Sequence, residues 1–320
     1  MLGWVGWIGV IVAGRPVAPD GRVSVDKARL CDYNEASLLD VARDKLRTSS
    51  HGRLRRGKPM EFQDIIYEKK GGRATITINR PEVLNAFRQQ TLDEMIEAFD
   101  DANRDRTIGV VVLTGAGQRA FCVGGDVSTM SDLSGEKTTA WITSLLRLAA
   151  AIRNAGKPVI AAVNGYCIGG GNELQLFCDL TIASDKATFA QVGPRVGACP
   201  VWGGTQLLPR LVGDKKAREM IFLCDTYSAQ EAERMGLINK VVPHEKLAEE
   251  VDAWCNRILS HSPQSLRVAK ISLNFGSDLL YASLVHGGEM LRNIFGSEES
   301  LEGMRAFLEK RPADYRRFRA

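Results

Sequence analysis

Glu173 stands in the run Cys167-Ile168-Gly169-Gly170-Gly171-Asn172-Glu173-Leu174, which follows the apolar stretch Pro158-Val159-Ile160-Ala161-Ala162-Val163. The pattern predicts a strand ending in three glycines, then a helix with a carboxylate one turn in. Glycine lets a backbone approach a ligand closely and adopt conformations that a Cβ forbids. The first N–H groups of a helix lack intrahelical partners and carry partial positive charge. Such donors suit an oxygen that gains negative charge during a reaction, and Glu173 is placed to move a proton beside it.

A second turn has the same composition. Val110-Val111-Val112-Leu113-Thr114-Gly115 reads as a buried strand, and Ala120-Phe121-Cys122-Val123-Gly124-Gly125-Asp126 lies close behind it. Two such turns could each aim one N–H at a single oxygen, and removing one oxyanion donor costs about 3–4 kcal/mol of transition-state stabilisation. Read singly, each turn is equally an ordinary strand-to-helix connection, because glycine-rich turns punctuate many chains. Neither contains Gly-x-Gly-x-x-Gly, so dinucleotide binding is not indicated.

The elements that must position these turns alternate along the chain. Ile65–Lys69 and Arg73–Ile78 read as a hairpin turning at Gly71-Gly72. Residues 91–103 carry the helical stripe Leu92, Met95, Ile96 and Phe99. Buried strands over 109–113 and 158–163 flank a helix around 141–155, and Leu180–Ala183 is a further short strand. Strands alternating with helices imply an α/β fold with parallel pairing and βαβ crossovers. From Ser228 onward the pattern is mainly helical, with stripes over 246–259, 265–274 and 297–310.

In this order the motifs resemble the crotonase superfamily, the enoyl-CoA hydratase and isomerase group. The matching pieces are Asn79-Arg80-Pro81 with Asn85-Ala86-Phe87, the Ala120–Asp126 run, Lys157–Gly165, the Gly169-Gly170-Gly171 helix start and Gly203-Gly204-Thr205-Gln206. Ser228-Ala229-Gln230-Glu231-Ala232, Met235–Ile238 and Val241-Val242-Pro243 resemble the family's downstream signature. The resemblance implies a crotonase-like ββα spiral of stacked sheets over residues 60–255. It also implies a helical oligomerisation segment over 256–320 and assembly as a homotrimer or homohexamer. No internal sequence repeat shows the spiral independently.

The same resemblance implies backbone donors at Gly125 and Gly170 that grip a thioester carbonyl, with Glu173 as base. It places Ala86, Arg88, Val123, Asp126, Gly193 and Trp202 along the acyl-CoA, Arg88 facing a phosphate and Trp202 flanking the acyl group. Asp126 reads more naturally as ordering its loop; Arg88 as a solvated surface arginine and Trp202 as a core aromatic are equal readings. Hydratases of the family carry a second glutamate in a Gln-Pro-Glu stretch, where this chain has Gln191-Val192-Gly193. Gly193 thus removes the usual two-carboxylate arrangement and leaves room for a water, a bicarbonate or a bulky ring. The Gln-Val-Gly-Pro segment, Lys215–Glu219 and the tail Glu309-Lys310-Arg311-Pro312 resemble the branch of dihydroxynaphthoyl-CoA synthase and alicyclic ring-opening hydrolases. Pro200 and Phe295 depart from that branch, whose naphthoate synthases and ketocyclohexanecarboxyl-CoA hydrolases carry an aspartate and a tyrosine there.

The implied reaction is addition of water to an α,β-unsaturated acyl-CoA, with hydrolytic opening of an alicyclic oxo- or enoyl-CoA as the alternative. No cofactor is expected apart from the coenzyme A of the substrate. Composition is that of an ordinary globular protein: 44% of residues are hydrophobic and 25% charged, with a net charge of +4. That charge suits an anionic small molecule and gives no argument for nucleic acid, although a catalytically silent RNA-binding or scaffolding homologue is the rival outside the enzymes. Seven cysteines without CxxC spacing, and four dispersed histidines, indicate no metal centre. Cys122, Cys167, Cys178 and Cys199 read as buried reduced thiols, consistent with a cytoplasmic setting. Residues 1–59, apolar then basic and without a sustained periodicity, read as a disordered extension or an upstream mis-start. The apolar stretch Met1–Gly14 is too short to span a bilayer.

Overall fold

The runs Val110–Leu113 and Val159–Val163 are apolar without alternation because the strands they form are covered on both faces. The computed structural model describes residues 61–278 and 280–319. Its strands are β1 (Ile65–Lys70), β2 (Arg73–Ile78), β3 (Val110–Gly115), β4 (Ala120–Cys122), β5 (Val159–Val163), β6 (Tyr166–Ile168), β7 (Leu180–Ser184), β8 (Thr188–Ala190), β9 (Thr226–Ser228) and β10 (Lys240–Val242). Six form a large sheet of order β1-β2-β3-β5-β7-β10, and four form a small one of order β4-β6-β8-β9. Pairing is parallel except for the β1–β2 hairpin and the β8–β9 edge.

Chain order explains the layering. β3, β5 and β7 each lie in the large sheet, and each is followed at once by β4, β6 or β8 in the small one. A helical segment then returns the chain for the next turn. This is the spiral implied by the resemblance, carried by topology rather than by repeated sequence. The resemblance implies a second stacked sheet, but its individual strands leave no mark in the sequence, because three-residue strands are too short to display a period-two pattern.

Side-chain alternation divides the core in two. Val111, Leu113, Ala161, Val163 and Ala183 face the main core, which also holds Phe121, Cys122, Cys167 and Phe189 of the small sheet. Val110, Val112, Ile160, Ala162 and Ile182 face the opposite way, onto Val251 and Cys255 of helix Leu247–Leu259. Helix Gln89–Arg104 buries Leu92, Met95, Ile96 and Phe99 and packs on helix Gly135–Arg153. The predicted hairpin closes as expected, Lys70 opposite Arg73, with Gly71 and Gly72 at φ 59° and 82°.

Residues Glu61–Ala320 cluster as one compact unit, so the helical tail expected over 256–320 packs into the same body as the sheets. Helix Tyr281–Ile294 rests on Gly135–Arg153. The buried Lys270 ammonium of helix Pro263–Asp278 donates to the Ile152 and Lys157 carbonyls and to Asp179, at 3.0, 3.1 and 2.7 Å. The extension expected over 1–59 lies outside the described residues. Among the described residues no helix is long and apolar enough to cross a membrane.

One loop ties the first hairpin to the rest. Asn85 is fully buried in the left-handed region, φ 58°, which asparagine tolerates better than most residues. Its Nδ2 donates to the carbonyls of Ala116 and Ala120, at 2.9 and 2.8 Å, and its Oδ1 accepts from the Arg80 N–H. Asn85→Ala strands two buried acceptors and one donor, so urea denaturation is expected to report a loss of about 2–4 kcal/mol. A change below about 0.5 kcal/mol, the range of ordinary surface substitutions, would refute this account of the loop.

Candidate active site

The two glycine turns meet because β4 and β6 are neighbouring parallel strands, so their carboxyl ends emerge side by side. The strand that delivers the Gly169 turn is β6, not the longer apolar run of β5 that the sequence suggested; β5 belongs to the other sheet. Gly169 adopts φ 56° and ψ −121°, and its N–H donates to the Ala190 carbonyl of β8 at 2.9 Å. Helix Gly170–Leu176 starts at the next residue, which leaves the Gly170 N–H outside the helical ladder.

Beyond β4, Gly124 takes φ 92° and Gly125 forms a lone parallel bridge with Phe87. The Phe87 N–H donates to the Gly124 carbonyl at 2.9 Å, and the Asp126 N–H donates to the Phe87 carbonyl at 2.8 Å. In this pairing the bridged Gly125 keeps its own N–H and carbonyl on the side away from Phe87. A Cβ on Gly124 would lie 2.8 Å from the Gly170 nitrogen, and one on Gly170 would lie 2.8 Å from the Phe87 ring. The two turns are therefore in backbone contact, with no space for side chains between them.

An aromatic cluster supports them. Phe87 stacks on Trp141 with centroids 5.7 Å apart and meets Trp202 edge-on at 5.9 Å. Trp202 also packs on Phe177 at 5.1 Å and donates its indole N–H to the Leu145 carbonyl at 2.8 Å. Trp202 is thus a satisfied core residue beneath the site. Ala86 is buried beside Phe87, and Val123 is half-buried at the end of β4.

Glu173 is 5% exposed, and its Oε1 accepts from the Gly204 N–H at 3.1 Å. Burial pushes its carboxyl up to about 8, opposed only in part by main-chain N–H groups of Gly204 and Trp202. Residues 199–204 wrap this carboxylate. A Cβ on Gly204 would lie 2.9 Å from the Pro200 Cβ and 3.0 Å from Glu173 Oε1, and burial followed by the Glu173 charge raises the Cys199 thiol. Gly193 opens a short 3₁₀ turn, Gly193–Val196, and sits against Ala198 and Pro200. Gly193, Pro200, Gly204 and Glu173 thus form one chain of neighbours, with a single carboxylate in it.

The charged residues expected along the substrate are held by the protein. Asp126 accepts from the Ser128 N–H and hydroxyl and pairs with Arg80 at 3.0 Å, so it orders the loop behind Gly125. Arg88 is paired within the protein: Nε and Nη2 both donate to Asp64 at 2.8 Å, and Nη2 also reaches Gln90. Buried Asp64 accepts in addition from the Thr91 hydroxyl at 2.6 Å. Asp64 and the role of Arg80 were not legible in sequence, since single charges on a strand end and a loop show no pattern. Among the described residues no group of His, Cys, Asp and Glu could hold a metal ion.

The family model for enoyl-CoA hydratase/isomerase matches residues 68–317. The chain belongs to the enoyl-CoA hydratase/isomerase family. Similar solved structures include an enoyl-CoA hydratase from Mycobacterium avium subsp. paratuberculosis K-10, 27% identical over 79% of this chain and 99% of that one, with TM-score 0.73. An enoyl-CoA hydratase from Bacillus anthracis is 32% identical over 79% and 99%, with TM-score 0.65. One from Geobacillus kaustophilus HTA426 is 36% identical over 80% and 98%, also at 0.65. Family membership and the stacked-sheet fold agree with the motifs read from the sequence.

The raised Glu173 group has a consequence for stability. Its folded value, about 8, exceeds the ordinary 4.5, so the native state holds a proton that the unfolded chain has released over that interval. Stability contributed by this group therefore falls as pH rises from 4.5 to about 8. Glu173→Gln removes the penalty, and thermal melts are expected to show a gain over wild type that grows across this window. A gain independent of pH would contradict the buried, up-shifted carboxyl.

Proposed function

We propose that this family member adds water to an α,β-unsaturated acyl-CoA, using Gly125 and Gly170 as oxyanion donors and Glu173 as the one side-chain base. The observation that carries the proposal is the juxtaposition of two glycine turns in backbone contact with a buried carboxylate near neutrality. Two N–H groups on a thioester oxygen draw electrons from the conjugated system and make its β-carbon electrophilic. Glu173, once deprotonated, takes a proton from water as it attacks that carbon, and the resulting enolate is reprotonated at the α-carbon. No cofactor takes part beyond the coenzyme A of the substrate.

A second reading rests on Gly193. No second carboxylate stands there, and the Gln-Val-Gly-Pro segment resembles the dihydroxynaphthoyl-CoA synthase and ring-opening hydrolase branch. Water added to a ring enoyl-CoA that also carries an oxo group would set up hydrolytic cleavage of a ring C–C bond. Pro200 and Phe295 supply no acidic or phenolic group, which favours simple hydration over naphthoate synthesis. Assembly as a homotrimer or homohexamer is part of the proposal, supported by the exposed Val268, Ile271, Leu273 and Phe275 of helix Pro263–Asp278.

Mass spectrometry of products from crotonyl-CoA and an alicyclic oxo-enoyl-CoA separates the readings, hydration adding one water and cleavage opening the ring. Glu173→Gln is expected to lower kcat at least roughly 100-fold on the accepted substrate. Wild-type kcat/KM is expected to rise with pH and level off above about 8, where the Glu173 base is free. A variant as active as wild type, or a rate falling over that interval, contradicts the assignment of Glu173 as base.

A further inference from the structure

Arg80 lies at the only place where the Phe87 and Gly125 segments are held together by a side chain as well as by main chain among the hydrogen bonds of the described residues. Its Nη1 donates to the Ala86 carbonyl at 2.6 Å and its Nη2 to Asp126 Oδ2 at 3.0 Å. Ala86 precedes one partner of the bridge and Asp126 follows the other, so one planar cation spans both. The side chain is 12% exposed, and Asp64 lies 3.8 Å from its Nε. Burial raises the Asp126 carboxyl, but hydrogen bonds from Ser128 and Arg80 outweigh it and keep the group below the usual range.

We infer that Arg80 is a positioning residue: its guanidinium staples Ala86 to Asp126 and so fixes the direction of the Gly125 N–H. The inference rests on the reading of that N–H as an oxyanion donor. The physical reason is geometric. Gly125 lacks a Cβ and its segment pairs through a single bridge, so nothing in a longer ladder holds its peptide plane. A fork-shaped cation that bonds one carbonyl and one carboxylate fixes two points at once, which an ammonium on a flexible stem does poorly. Misplacing a catalytic donor by about 1 Å costs on the order of 100-fold in rate.

The test uses acetoacetyl-CoA, whose enolate shares its charge between the keto and thioester oxygens and absorbs in the near ultraviolet. Wild-type protein is expected to bind it as the enolate. Arg80→Gln and Asp126→Asn are expected to lose that absorbance and to lower kcat roughly 10- to 100-fold while KM moves less than about threefold. Arg80→Lys recovers little, because it cannot make both bonds. Should Arg80→Gln fail to fold, Asp126→Asn decides, since the amide oxygen still caps Ser128. Variants with an intact enolate band overturn the staple, even if their melting temperature falls. Absence of the band in wild type instead overturns the oxyanion reading beneath it.

Discussion

The contact between the Gly124-Gly125 turn and the Gly170 end of its helix is the constraint on which the remaining arrangement depends. Two backbones approach so closely there that a Cβ on Gly124 would reach the Gly170 nitrogen. The approach is possible because β4 and β6 pair in parallel and end together. Phe87, Trp141 and Trp202 fill the space behind, with Met130 also against Gly125. Such packing is rigid, and rigid donors lose little to reorganisation when charge develops before them.

Glu173 owes its character to the same packing. It sits one turn into the helix that begins at Gly170, facing residues 199–204 instead of water. Desolvation disfavours its charged form, and the Gly204 and Trp202 N–H groups do not offset that loss. The carboxyl therefore works near neutrality at a cost in folding stability. Gly193 brings no second carboxylate to this chain of neighbours, so in the proposed reaction acid and base steps fall to one group and to bound water.

Much of this was legible in the sequence, for reasons that differ from element to element. The β3 and β5 runs announced themselves because strands covered on both faces are apolar throughout. Helix Gln89–Arg104 showed its stripe because one face meets the core. Glu173 stood out because its glycine context is specific. Three-residue strands carry no period, so the members of the second stacked sheet could not be placed, and with them the reason the two turns meet. The pairing of Arg88 with Asp64, distant in sequence, is invisible in either sequence reading of that arginine. Long-range ion pairs of this kind leave no local signature.

The central claim is that two main-chain amides polarise one thioester carbonyl. Infrared difference spectroscopy of a bound enoyl-CoA, labelled with carbon-13 at the thioester carbonyl, reads that polarisation directly. The C=O stretch should move to lower frequency on binding to wild-type protein and stay at its solution value with Gly170→Ala, whose Cβ displaces the turn against Phe87. A bound carbonyl with its solution frequency in wild-type protein would contradict the account.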